Sequence, residues 1–133
     1  MRRILLLVAA LCGRPPLAQA TEETVLQYAE AVTEHMAFSY MCIPYIGGGQ
    51  YEVAQYVSKL HLRRWGIQPT DITSIINRID ADLNSSGLQA WFKHKAEKER
   101  FVSVEAIRDH CLSLRLKTII KLERLDGAES GAP

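Results

Sequence analysis

No stretch of this chain is apolar for the roughly 20 residues that a membrane-spanning helix needs. The longest apolar run, residues 4–12, is half that length. The chain also lacks an excess of charge of either sign, with 16 Lys+Arg against 15 Asp+Glu. That balance gives no electrostatic footprint for nucleic acid and no polybasic membrane anchor. No two histidines stand four apart and no two cysteines form a C-x-x-C pair. These absences remove a helical zinc motif and a thioredoxin-like redox motif from consideration. Gly47, Gly48 and Gly49 are not followed by the Lys and Ser/Thr of a phosphate-binding loop. No segment alternates apolar and polar residues in the manner of a strand.

What is present begins at the N-terminus. Arg2 and Arg3 precede the apolar run, Gly13, Pro15 and Pro16 break it, and Ala18-Gln19-Ala20 offers small residues at a cleavage site. This is the layout of a secretory signal peptide over residues 1–20, so export to the periplasm or beyond is expected. Removal of Arg2, Arg3 and Arg14 leaves 13 basic against 15 acidic groups. The remainder, residues 21–133, fits one small domain.

Cys12 leaves with the signal, and Cys42 and Cys111 remain as an even pair. In an oxidising compartment a disulfide between them is expected. Four to five helices are predicted, forming a small all-α bundle. The first covers 21–40, with Ala29, Val32 and Met36 on one face and Pro44 beyond its end. The second covers about 50–65, with Val53, Tyr56, Val57 and Leu60 as its buried stripe and Gly66 past its end. The third starts with Thr70 as cap and buries Ile72, Ile75, Ile76, Ile79 and Leu83. A fourth region begins near Leu88 with Trp91 and Phe92, then turns highly charged. The last helix runs from 104 to about 125, capped by Ser103. Its Cys111 arc and a neighbouring arc of Leu112, Leu116, Ile119 and Ile120 together wrap over half its surface. It is therefore expected at the centre of the bundle. Residues 126–133, rich in Gly, Ala and Ser, are expected to form a disordered tail.

Candidate sites are sparse. Tyr40, Tyr45 and Tyr51 crowd the junction of the first two helices, and tyrosine favours interfaces because it joins apolar area to a hydrogen-bonding tip. Arg108 and Arg115 stand two turns apart on one side of the last helix. They suit an anion, or structural pairing with Glu30, Glu34 or Glu52. Asn84-Ser85-Ser86 matches a glycosylation sequon, which matters only in a eukaryotic secretory pathway. No catalytic constellation, cofactor motif or metal motif is evident. The expected function is that of an exported, non-catalytic protein-binding module, such as an envelope-complex accessory or an immunity or inhibitor protein. Alternatives are an acid- or stress-responsive chaperone and, behind it, a small hydrolase built on Arg108, Arg115 and His61.

Overall fold

The computed structural model describes residues 22–99, 101 and 103–129. Among them are six helices and no strand: α1 (Glu22–Met41), α2 (Ile43–Ile46), α3 (Gly48–Arg64), α4 (Pro69–Asn84), α5 (Leu88–Lys98) and α6 (Val104–Glu129). Residues 1–20, expected to form a signal peptide, and Thr21, the expected first residue of the first helix, lie outside the described residues.

The central element is α1, not the C-terminal helix. Every other helix packs against α1. Its residues are buried nearly all round, from Tyr28, Ala31 and Val32 to His35, Met36, Ser39 and Met41. Small residues on several faces let neighbouring backbones approach from several sides. By contrast α6 buries only the arc of Cys111, Thr118 and Leu122. Its second apolar arc faces outward.

α1 and α6 run antiparallel, and two contacts fix their register. The Cys42–Cys111 disulfide, with Cα atoms 6.0 Å apart, joins them at one end. Two turns back along α1 and two turns on along α6, His35 Nδ1 meets Thr118 Oγ1 at 2.7 Å. Glu34 pairs with Lys121 at 2.9 Å rather than with either predicted arginine.

α3 rests on α1 through a face that sequence periodicity does not single out. Ala54, Ser58, His61 and Leu62 are buried, whereas Val53 is exposed and Tyr56 is 62 % exposed. The small Ala54 and Ser58 permit close contact with α1, and that contact decides the rotation of α3 against the pull of its larger apolar residues. The glycine run is not an open loop either. Only Gly47 takes a left-handed φ, +88°, and Gly48 and Gly49 already belong to α3.

Helix ends follow local chemistry. At the end of α3, Gly66 (φ +86°) donates to Arg63 O and Ile67 donates to Leu62 O, the double bond pattern of a Schellman stop. Pro69 opens α4 with Gln68, not Thr70, at the cap position. All five predicted core residues of α4 are buried. Ser103 Oγ accepts the Ala106 N–H at 3.1 Å and caps α6, as expected. α6 then continues to Glu129, so residues 126–129 are helical and not a tail.

Because the disulfide closes a loop with a sequence separation of 69, the chain-entropy relation assigns it about 4 kcal/mol. Urea unfolding with and without reductant should show a loss of that order. An unchanged midpoint would mean that packing alone sets the α1–α6 register.

Candidate functional site

An open cavity of about 430 Å³ lies between α1, α5 and α6. Ala37, Phe38 and Met41 of α1 form its floor, Leu88 and Phe92 of α5 one wall, and Leu114 of α6 the other. The disulfide stands directly behind it, since Met41, Cys42, Phe92 and Cys111 form one buried cluster against which Phe38 and Leu114 pack. At the mouth are Trp91, Lys95, Glu99 and His110. Trp91 is 54 % exposed. Lys95 holds its ammonium 5.2 Å above the Trp91 ring and 3.7 Å from Glu99. His110 packs against Phe101, ring centres 5.3 Å apart. The result is an apolar well with an aromatic and mixed-charge rim, a form that suits uptake of an apolar group fixed by polar contacts at its edge.

Local sequence positions each wall. Gly87 (φ +70°) turns the chain, and Ser86 Oγ accepts the Leu88 N–H at 3.2 Å, starting α5. Gln89 Nε2 donates to Tyr40 O at 3.2 Å, tying α5 to the end of α1. Phe92 and Ala96 then face inward, and Trp91, next to Phe92, falls on the shoulder of α5. The sequence sets Trp91 beside Phe92 at the start of this region, ahead of its charged residues, and singles out neither as a site residue. The signal available was the i, i+4 spacing of Trp91 and Lys95, which places a cation beside an aromatic ring on one face.

The three predicted tyrosines are not a free surface. Tyr51 is buried, its O–H donating to Asp80 Oδ1 at 2.7 Å. Burial, then that hydrogen bond, pushes its pKa up. Tyr40 packs edge-on against Tyr51. Tyr45 packs edge-on against Phe92 beside the disulfide. Arg108 is exposed. Arg115 is half-buried, with Nε sealed away from any partner. Arg108, Arg115 and His61 do not converge: His61 is bonded to Asp126, about 16 Å along α6 from Arg115 and about 27 Å from Arg108 at 1.5 Å per residue.

His61 instead joins a second polar group that no short-range pattern announces. Asp126 Oδ1 accepts from His61 Nδ1 at 2.8 Å and Trp65 Nε1 at 2.8 Å, and its Oδ2 accepts from Arg64 at 2.9 Å. Partial burial alone would raise the Asp126 pKa. The hydrogen bonds from His61, Arg64 and Trp65 outweigh it and hold the carboxyl below its ordinary value. An ionised carboxylate only accepts, so His61 Nδ1 carries the proton. Trp65 stacks on Tyr28, ring centres 4.2 Å apart, which extends the group onto α1. Ligand atoms of His61, Glu123 and Asp126 lie within 4.8 Å of one another, a donor set of metal-binding type. The cation that faces Asp126 in this arrangement is the Arg64 guanidinium, and the group clamps the ends of α3 and α6 together.

The other buried histidine, His35, is fully enclosed. Thr118 spends its hydroxyl proton on Arg115 O at 2.8 Å, so it accepts from His35 Nδ1–H. His35 Nε2 is left without a partner. Burial, then the positive charge of Arg115 on α6, then His61 on α3 lower its pKa to about 4.

That shift sets a pH dependence. Unfolded His35 takes up its proton near the ordinary value of 6.5, whereas the folded residue does so only near 4. The unfolded state binds more protons across that window, so stability present above about pH 6.5 is lost as pH falls toward 4, by about 3 kcal/mol. Denaturant titrations at pH 7 and pH 4.5 should show the loss, and His35→Leu should flatten it. An equal fall in the variant would assign the effect to other groups. No protein-family model matches the chain, and neither a curated protein nor a solved structure matches it.

Proposed function

We propose that the chain is an exported, non-catalytic protein-binding module. It takes an apolar side chain of its partner into the cavity between α1, α5 and α6. The observation that carries this reading is the cavity itself, an apolar well that ends in an exposed tryptophan. Interface energy concentrates where a tryptophan or a similar large side chain meets a well-packed pocket, and a polar rim excludes water around it. Trp91 with Lys95 and Glu99 has that arrangement. The signal-like N-terminus and the disulfide support an oxidising location, as for an envelope accessory or an immunity or inhibitor protein. Arg108 and Arg115 have no catalytic role in this reading.

A second reading, an acid-responsive chaperone, draws support from His35 alone. Its protonation would place a buried charge beside Arg115, loosen the α1–α6 seam and expose apolar surface. An apolar dye that lights up between pH 6.5 and 4 only with His35 present would favour that reading.

The direct test of the binding module is a photo-crosslinking side chain at Trp91, expressed in the native host. It should capture a single envelope or secreted protein, whereas the same group at exposed Asn77 should not. Trp91→Ala should then weaken that complex by roughly 30-fold, the scale of an interface hot spot. Equal capture from both positions, or an unchanged affinity, would remove the cavity from the binding account.

A further inference from the structure

His61 turns a bare ring nitrogen toward a carboxylate. Its Nδ1 carries the proton that Asp126 Oδ1 accepts at 2.8 Å. Nε2 is then a lone-pair acceptor, and it forms no hydrogen bond to the described residues. The group that faces it is Glu123 Oε1, 3.9 Å away. An ionised carboxylate also only accepts. Two acceptors aimed at each other call for a positive charge between them. We infer that a divalent transition-metal ion of the zinc type binds here, ligated by His61 Nε2 and Glu123, and closes α3 onto α6.

His61 is set up as a ligand by what surrounds it. Its side chain is 2 % exposed, and Trp65 flanks the ring with centres 5.6 Å apart. With Nδ1–H tied to Asp126, both the tautomer and the direction of the ring are fixed, which is how carboxylates orient metal-binding histidines. Asp126 is not itself a ligand. Its Oδ1 accepts from His61 and Trp65, and its Oδ2 accepts from Arg64. Glu123 is the movable member, at 61 % exposure. Zinc holds nitrogen and oxygen ligands at about 2.0–2.2 Å, so two tetrahedral ligands stand about 3.4 Å apart. A small rotation of the exposed Glu123 side chain closes the difference.

The local charge favours a cation. Glu123 and Asp126 bring two carboxylates against the single Arg64 guanidinium, which is already engaged at the far oxygen of Asp126. His61 also lies in the last turn of α3, where the helix dipole attracts positive charge. An imidazole joined to a carboxylate suits zinc. Two protein ligands leave the remaining positions to water, so the site is open and binds in the micromolar range. The inference stands apart from the cavity, to which α6 contributes His110 and Leu114 nearer its start.

Calorimetric titration of zinc chloride into the exported chain at pH 7, disulfide intact and stripped with chelator, tests this. Uptake of one ion per chain is expected, and the melting temperature should rise with zinc. Glu123→Gln removes a ligand from the surface and leaves the hydrogen bonds of Asp126 in place. It should weaken uptake roughly 10-fold or more without changing helical content. Asp126→Asn should weaken it roughly 10- to 100-fold, the usual cost of losing the group that orients a metal-binding histidine. His94→Gln on α5 should leave uptake unchanged. A chain that takes up no zinc, with a second proton on His61 meeting Glu123 instead, would overturn the proposal. So would uptake indifferent to Glu123→Gln, which would mark an adventitious ion only, held at His94 or His110.

Discussion

The bond between Cys42 and Cys111 sets the register on which the other features depend. It fixes the end of α1 against the first third of α6, so that His35 meets Thr118 two turns away. From that register follow the arc of α6 that is buried and the arc that is not. The same bond forms the back of the cavity cluster with Met41 and Phe92. At the far end of the same helix pair, Asp126 gathers His61, Arg64 and Trp65 and closes α3 onto α6. α6 is therefore held at one end by a covalent staple and at the other by a charged clamp. Between them lies a seam with more polarity than a simple apolar core, including the unpartnered Nε2 of His35 and Nε of Arg115. Buried polar atoms without partners cost stability, which places the staple and the clamp where the seam needs support.

Much of the fold is legible in the residues because local rules and packing agree there. The isoleucines of α4 repeat at helical spacing and all turn inward. Gly66 stops α3 and Ser103 starts α6 by short-range hydrogen bonds that sequence can specify. The reading fails where tertiary contact overrides the apolar pattern. α3 presents Ala54 and Ser58 to α1 and leaves Val53 and Tyr56 outside, because close approach of two backbones outweighs the burial of larger side chains. α6 shows the same effect. Its two apolar arcs suggest a central helix, but α1, with small residues on several faces, takes that place.

The candidate sites diverge from the sequence for a related reason. Tyrosines grouped in sequence near the disulfide are consumed by packing, Tyr51 against Asp80 and Tyr45 against Phe92. The Asp126 clamp joins residues more than 60 positions apart, with no motif to announce it. The cavity is a gap between three helices, and a gap has no signature in one segment. What α5 does supply is Trp91 and Lys95 at neighbouring positions on its surface. Function, in the account proposed above, follows from the apolar well between α1, α5 and α6.

The most direct check on that account is the intact mass of the chain recovered from outside the cytosol, measured with and without reduction. A mass that begins at Thr21 and rises by two hydrogens on reduction is the predicted result, because it joins export, processing and the Cys42–Cys111 bond in one observation. A full-length chain retained in the cytosol with all three cysteines free to react would contradict it, and would take away both the oxidising location and the staple on which the α1–α6 register rests.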